Sequence, residues 1–572
     1  MARANDEAAA LVQELADLLS ITGGDAFKIR AYEKAARAIA GYPDDISALS
    51  PNDLKKIPSI GGAIAKKLED YNQTGTIRQV EELRTQIPAG VRRLTTIPTL
   101  GPKKALAVYE ELGISSIDEL AAAIREGRLR GLKGFGAKTE DNILRGIELM
   151  ESTGERVLID AAADLADEIV AALSPLAERC AFAGSLRRMR ETIGDVDVLA
   201  ASRDPRPIME AFKALPYVSE VIGGGDKKTS VRTTRGLQVD LRVVPPESWG
   251  AALQYFTGSQ AHNVRTREIA VRAGLKLSEY GLFDAGTNDL IVSETEEQVY
   301  DRLGLPWIAP PLREDQGEIE AALDGSLPAL VTVDDLKGDL HSHTDLTDGT
   351  ASLEEMVRAA SARGLSYYAI TDHAPNLFMQ RMTDEKMLAQ RERIRALQAE
   401  YPGLTLLHGA ELNIDPDGEV DWDVGFLSGF DICVASVHSH FTQTPEEMTR
   451  RFVRACENPH VHVIGHPMAR LIGRRSPVDA DWDEVFRCAA RTGTAMEIDS
   501  FPDRLDLPSD LIRRARRLGV KFAIDTDAHA VGHHRNIRYG VGTAQRGWLT
   551  PDDVINTWPL DRLRAFLAKP TP

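Results

Sequence analysis

Twelve of the thirteen histidines lie between His341 and His534, and only His262 falls outside that span. From residue 335 onward, apolar runs at 338–341, 367–371, 404–411, 432–437, 461–465, 495–498 and 521–525 alternate with helical patterns. Examples of the latter are 353–363, 384–399, 446–456, 481–491 and 509–518. Such alternation predicts parallel strands covered by helices. The polar residues fall where the runs end. His341 and His343 follow the first run, Asp372 and His373 the second, and Glu411 ends the third. His438 and His440 follow the fourth, His466 the fifth, and Asp527 and His529 the seventh. Metal-ligand residue types gathered at one rim of parallel strands describe the mouth of an α/β barrel, where strands supply position and loops supply chemistry. A lone histidine in such a place is usually a surface or capping residue, and that reading is kept for His460, His462, His533 and His534. Chance is a poor account of the rim set as a whole.

The barrel accounts for less than half of the 572 residues, and a chain of this length holds about three to five domains. With 43% hydrophobic and 27% charged residues, it is neither mainly disordered nor collagen-like. Its four cysteines form no C-x-x-C pair, which predicts a reducing compartment and no zinc finger. No apolar run is long enough to span a membrane. Asp6 and Glu7 argue against a signal peptide, so a cytoplasmic location is expected. The formal net charge of −18 argues at first against a nucleic-acid partner. Its distribution reverses that. Residues 51–150 carry 16 Lys and Arg against 13 Asp and Glu, a local net of +3.

That least acidic stretch contains a repeat. Ile57-Pro58-Ser59-Ile60-Gly61 recurs as Ile97-Pro98-Thr99-Leu100-Gly101, and more loosely as Leu132-Lys133-Gly134-Phe135-Gly136. A helical segment with early lysines follows each copy: Lys66 and Lys67, Lys103 and Lys104, Lys138. A tight Gly turn at a helix N-terminus exposes backbone N–H groups that suit a phosphate oxygen, and lysines nearby add sequence-independent attraction. One copy would be read as an ordinary helical hairpin. Three copies favour a nucleic-acid backbone, contacted through Gly61, Gly101 and Gly136 and these lysines, and they resemble the helix-hairpin-helix motif.

Between these regions, Gly184-Ser185 precedes Gly194-Asp195-Val196-Asp197, and a second strand-like run, 237–243, carries Asp240. In a strand Asp195 and Asp197 share a face. Adjacent carboxylates repel unless cations lie between them, which is the requirement of two-metal phosphoryl transfer. A lone D-x-D is weak. With the Gly-Ser turn, the later strand Asp and the run Tyr255-Phe256-Thr257-Gly258-Ser259, the chain resembles the nucleotidyltransferase fold of the DNA polymerase X family. The resemblance implies that Asp195, Asp197 and Asp240 hold two metal ions. It places Gly184, Ser185 and Arg188 on the triphosphate, Tyr255, Phe256 and Gly258 on the incoming sugar, Asn263 in the minor groove of the nascent pair and Arg267 on the template. Gln238 and Gln260 depart from the Arg and Asp of vertebrate repair members. Lys67 matches a lyase nucleophile of that family, with Lys28 and Tyr32 around it. Ala63 and Gln79 replace two supporting lysines, and plain phosphate binding is the favoured role of Lys67.

The histidine strings Asp339-Leu340-His341-Ser342-His343, Thr371-Asp372-His373, Val437-His438-Ser439-His440, Gly465-His466-Pro467 and Asp527-Ala528-His529 resemble the PHP (polymerase and histidinol phosphatase) domain, a seven-stranded β/α barrel. By that resemblance His341, His343, Glu411 and Asp527 hold one ion. Glu411 bridges to a second held with His438 and His466, and Asp348, His373 and His529 hold a third.

The expected architecture is an α-helical helix-hairpin-helix domain (1–155), an α+β nucleotidyltransferase core with a nucleotide-selection subdomain (156–315), a linker (316–335) and the PHP barrel (336–572). The resemblance implies a gap-filling DNA-directed DNA polymerase of DNA repair, base excision repair included. Joined to it is a metal-dependent 3′–5′ exonuclease, with abasic-site endonuclease and 3′-phosphatase activity found among relatives. Expected cofactors are Mg²⁺ or Mn²⁺ at the polymerase site and Mn²⁺ or Zn²⁺, up to three ions, in the barrel. Expected partners are gapped or primer–template DNA and deoxynucleoside triphosphates, with no membrane, and the chain is expected to be a monomer. Two other readings stay open: a small-molecule phosphatase of the histidinol phosphatase type, and a DNA-binding scaffold with both sites inert.

Overall fold

The computed structural model describes residues 2–569 except Gly41, Pro43, Asp44, Pro58, Thr96, Pro98, Thr99, Lys133, Gly154, Glu155, Phe378, Met379 and Arg381. The side chain of Lys138 and those of a few other residues also lie outside the description.

Residues 2–153 are helical around one apolar core that includes Leu15, Ile39, Ile64, Val80, Val108 and Ile143. The repeat is visible as three copies of one turn. The N–H groups of Ile60, Leu100 and Phe135 donate to the carbonyls of Ile57, Ile97 and Leu132, each at 3.1 Å. Ile57, Ile60, Ile97, Leu100 and Phe135 are buried and Leu132 partly so, which anchors each turn. Ser59 (φ 66°) and Gly134 (φ 89°) take the left-handed conformation that the turn needs, and Gly134 does so at no steric cost. Gly61 and Gly101 then cap the helices Gly62–Thr74 and Pro102–Leu112, and Gly136 precedes Ala137–Thr153.

The middle region is built on a five-stranded sheet. Its order is Arg179–Phe182, Asp195–Ala201, Gln238–Val244, Lys228–Thr233 and Val218–Gly224. Its second and third strands are parallel and the other pairs antiparallel. Alternate buried apolar residues, such as Val196, Val198, Val239 and Leu241, pack against the helix Ile159–Leu173. Two further helices, Trp249–Thr257 and Gln260–Arg272, lead to a three-stranded antiparallel sheet.

The segment expected as a linker is partly core. Its helix Glu318–Asp324 packs Ile319 and Ala322 into one cluster with Tyr300, Leu303 and Ile308. Glu318, fully buried, meets Nδ1 of His262 at 2.7 Å. His262, the histidine outside the barrel, is thus a core residue that also reaches the Tyr300 hydroxyl at 2.9 Å. Burial holds its pKa below the ordinary imidazole value. Just upstream, the buried Arg313 pairs with Glu296 at 2.5 Å.

All seven expected barrel strands are present, in sequential parallel order: Gly338–Asp339, Tyr367–Ile370, Thr405–Asn413, Ile432–Ser436, Val463–Ile464, Ala495–Asp499 and Phe522–Asp525. The first and last meet through side chains and a single bridge. Asp525 accepts from the Leu340 N–H (2.7 Å), Thr526 donates to Asp339 (2.5 Å), and Ser342 bridges Ala528. The barrel packs directly on the middle region. Leu505 and Tyr539 of the barrel belong to that region's core. Arg546 donates to the Arg188 carbonyl (2.9 Å) and pairs with Glu314 (2.8 Å), and Arg470 pairs with Glu191 (2.6 Å). Arg235 of the sheet region reaches Glu7 of the N-terminal helix at 3.3 Å.

Candidate active sites

The carboxylates of the first site are set by strand register. Asp195 and Asp197 lie two apart on one strand, and the parallel partner strand puts Asp240 directly opposite Asp197. The Gly-Ser turn abuts them. The Ala183 N–H donates to the Asp197 carbonyl (2.8 Å), Gly184 has φ 62°, and a Cβ there would collide with the Asp197 carboxylate. Only glycine fits that approach. Burial and the neighbouring Asp195 and Asp240 push Asp197 up to about 7. Asp240 is half-buried, yet Gln238 (2.9 Å), Ser230 and Lys228 (3.0 Å) outweigh the burial and hold its pKa below the usual carboxylate range. The site thus carries more negative charge than its own cations neutralise, and divalent ions fit that donor set.

The remaining residues expected here are placed unevenly. Tyr255 and Phe256 meet edge to face at 5.1 Å, and the Arg242 guanidinium lies 4.5 Å from the Phe256 ring centre. Gly258 gives room to Asn263, whose side chain donates to the Tyr255 (2.6 Å) and Gly258 (3.2 Å) carbonyls. Arg267 is exposed and bonds the Asn263 carbonyl. Arg188 is turned inward, onto Glu314 (3.0 Å) and the Thr257 carbonyl (2.9 Å), rather than left open for a triphosphate. Glu314 lies far along the chain and its pairing with Arg188 carries no local sequence signal. The adjacent Arg187 forks onto Glu296, 2.8 Å at both oxygens.

At the second site the structure converges most of the rim set, while Asp372 turns instead to Thr344, Thr347 and Gln390. Asp527 lies 3.5 Å from His341 Nε2 and 3.0 Å from His343 Nε2, and Glu411 lies 3.5 Å from both. The other Glu411 oxygen is 3.0 Å from both His438 and His466. Asp348 is 3.3 Å from His373 and 3.4 Å from His529. Donors about 2.1 Å from a common ion stand ~3.0–3.4 Å apart in octahedral or tetrahedral arrangements, so these spacings are those of ligand edges. Buried atoms Nδ1 of His343, Oδ1 of Asp348 and Oδ1 of Asp527 have no hydrogen-bond partner, and a metal would supply one. Three subsets, His343/Asp348/His373/His529, His341/His343/Asp527 and His373/Glu411/His438, each bring one donor atom per residue within 4.8 Å.

Electrostatics agree. Burial opposes a charge on His373, yet Glu411 and Asp348 raise its pKa well above the imidazole value. Asp348 and Asp527 are likewise buried and yet held well below the carboxylate range by facing histidines.

Sequence reasoning missed the groups that aim these ligands. Glu497 binds His341 Nδ1 at 2.6 Å, Asn413 binds His438 Nδ1 at 2.8 Å, and the Asp527 carbonyl binds His529 Nδ1 at 2.7 Å. Each leaves Nε2 facing the cluster. Arg504 adds a guanidinium 3.3 Å from Asp499 and 3.8 Å from Asp527. Glu497 and Asp499 do carry a signal, since they are acidic residues inside the apolar sixth strand. His440 is exposed beside the site. His462 and His534 are neither surface nor capping residues but buried: His462 accepts from the Cys433 N–H, and His534 contacts Tyr368.

On the helical domain, Gly61, Gly101 and Gly136 are exposed, with open space where a Cβ would stand. Lys66 and Lys103 are exposed, Lys104 lies over Phe135 at 5.9 Å, and burial lowers the pKa of Lys67. Lys138 is helical, but its side chain lies outside the described residues.

Family models match the chain in four places. They are a helix-hairpin-helix domain (residues 3–77), a SAM-like helix-hairpin-helix tandem (91–148), the DNA polymerase beta thumb (252–314) and the PHP domain (339–500). A Bacillus subtilis protein named DNA polymerase/3'-5' exonuclease PolX is 36% identical over 564 residues, 98% of each chain. DNA polymerase lambda of Rattus norvegicus is 24% identical over 51% of this chain and 53% of its own. A probable phosphatase of Thermoanaerobacter is 28% identical over 38% of this chain and 89% of its own. The last match involves a phosphatase little longer than the matched region, whereas the first runs through all the regions described above. By that end-to-end similarity, the chain belongs to the bacterial DNA polymerase X family with a C-terminal PHP domain.

Proposed function

We propose that this chain is a DNA-directed DNA polymerase that fills gaps during repair, and that its barrel is a metal-dependent 3′–5′ exonuclease. The observation that carries the reading is the presence of two separate centres in one chain, the carboxylates at the Asp197–Asp240 register pair and the metal-competent donor set at the barrel rim. Neither a small-molecule phosphatase nor an inert scaffold has use for both.

When bound, divalent ions at each site lower the pKa of an oxygen nucleophile and offset charge on phosphate. Asp195, Asp197 and Asp240 would hold them at the polymerase site as Mg²⁺ or Mn²⁺. The backbone N–H groups of the Gly184–Ser185 turn orient the triphosphate. Tyr255, Phe256 and Gly258 bound the sugar, Asn263 faces the minor groove, and Arg267 reaches the template. Arg188 joins the triphosphate once it leaves Glu314. In the barrel, His341, His343, Asp348, His373, Glu411, His438, His466, Asp527 and His529 would hold up to three Mn²⁺ or Zn²⁺ ions, a preference that fits mixed imidazole and carboxylate donors. Gly61, Gly101, Gly136 and their lysines bind phosphates of gapped or primer–template DNA. Lys67 has a second reading, as a 5′-deoxyribose phosphate lyase nucleophile, because burial lowers its pKa and so favours the neutral amine. A monomer acting in the cytoplasm fits this set of roles. Among the described residues no helix is long and apolar enough to cross a membrane.

The test is primer extension on gapped duplex DNA together with digestion of a 3′-labelled strand. Both activities should vanish with EDTA and return with Mn²⁺. A metal-replete protein that does neither would contradict the reading.

A further inference from the structure

A cleft of about 330 Å³ lies where the sheet region meets the barrel. One wall is Arg190, Glu191 and Thr192, in the short segment between the Gly-Ser turn and Asp195, with Arg156 beside it. A Cβ on Gly194, the residue before Asp195, would meet the Arg156 guanidinium at 3.0 Å, so this wall adjoins the first site. The other wall is the loop Arg470 to Pro477, which begins four residues after His466. There Arg475 stacks on Phe441 at 4.3 Å, and Phe441 follows His440 at the barrel mouth. The residues of the cleft therefore lie close in the chain to both sites: Thr192 is three residues before Asp195, and Arg470 is four residues after His466.

Its charge is the reverse of the chain's. Four arginines line it against one acid, Glu191, and Arg470 already occupies that acid at 2.6 Å. Among the described residues Arg156 and Arg475 have no carboxylate within 4.0 Å; Arg156 bonds only Thr192. Arg190 approaches Glu314 at 3.8 Å, but Arg188 and Arg546 hold that carboxylate more closely, at 3.0 and 2.8 Å. Burial and the nearby Arg504 depress the Arg475 pKa to about 10, a cost that a bound anion would relieve. Guanidinium forks match phosphate oxygens.

We propose that this cleft binds the phosphodiester backbone of single-stranded DNA and guides a frayed primer 3′ end from the nucleotidyl-transfer site to the barrel. The idea rests on the functional reading above, because it needs both sites to act on one strand. Phosphodiesters also come from duplex DNA, so the test separates the two sources.

The full chain is compared with R156A/R190A and with the charge-keeping R156K/R190K. Binding of a fluorescent oligothymidylate should weaken in the alanine variant, and its log–log salt slope should shrink by about 1.4, the value for two lost single-strand phosphate contacts. Binding to a blunt duplex should not change. On a primer with a mispaired 3′ end, with excess unlabelled DNA as a trap, the fraction trimmed and then extended in one binding event should fall about tenfold. The lysine variant should recover most of it. Extension of a paired primer, and hydrolysis of thymidine 5′-p-nitrophenyl phosphate, too small to span the cleft, should match the unsubstituted protein. An unchanged salt slope and trap partition overturns the cleft while leaving the functional reading intact. Equal loss on the blunt duplex, or loss of paired-primer extension, also overturns it, because the arginines would then be duplex contacts or scaffold. An unsubstituted protein lacking both activities takes down the functional reading and the cleft together.

Discussion

The two acidic centres of this chain hold their charge in opposite ways. At the sheet, three carboxylates face one another with little imidazole or guanidinium between them. Asp197 answers by rising to about 7, while Lys228 and Gln238 steady Asp240 alone. In the barrel, three carboxylates are interleaved with six histidines, nearly all buried, and each acid lies within 3.5 Å of at least two imidazole rings. The first centre is an open deficit that cations arriving with a nucleotide can fill. The second is a prebuilt cage in which ligand, counter-charge and orienting partner are all supplied by the chain. The difference follows from topology. Two strand edges can present three acids on one face, whereas seven parallel strands ending at one rim can surround a point from all sides.

If the cage depends on its orienting partners, the largest effect short of removing a ligand comes from Glu497. Glu497→Gln removes the charge that holds His341 through Nδ1. Barrel metal affinity, read by Mn²⁺ titration of strand digestion, should fall about 10–100-fold, with primer extension unchanged. An unaltered titration would make the cage independent of that outer contact.

The open site has its own, smaller signature. Asp197 binds its proton more tightly in the folded chain, at about 7 against 3.8, so the folded state loses stability as pH rises between those values. In EDTA the thermal midpoint should drop as the pH rises through that window. Added Mg²⁺ should reverse the drop, and Asp197→Asn should abolish it. A flat profile in EDTA would mean that the three carboxylates do not repel as their register implies.

Much of this was legible in the residues. The period-two spacing of Asp195 and Asp197 and the rim positions of His341 to His529 mark candidate sites because strands have only two faces and parallel strands end on one side, while the ligand-by-ligand assignment comes from the family resemblance. The barrel's seven runs were readable because each is short, apolar and separated from the next. What stayed hidden depends on distant pairs. Glu314 capturing Arg188, Glu318 burying against His262 and Glu497 orienting His341 join residues 126, 56 and 156 positions apart, and no local pattern links them. The segment 316–335 reads as a linker, yet Glu318 within it is buried against His262.

The central claim is that the two centres are separate active sites in one chain. It is tested most directly by measuring both reactions in Asp197→Ala and in His341→Ala. Asp197→Ala should lose extension by on the order of a thousandfold and keep digestion of the 3′-labelled strand. His341→Ala should lose digestion and keep extension. Asp197→Ala that still extends, or His341→Ala that still digests, would contradict the account.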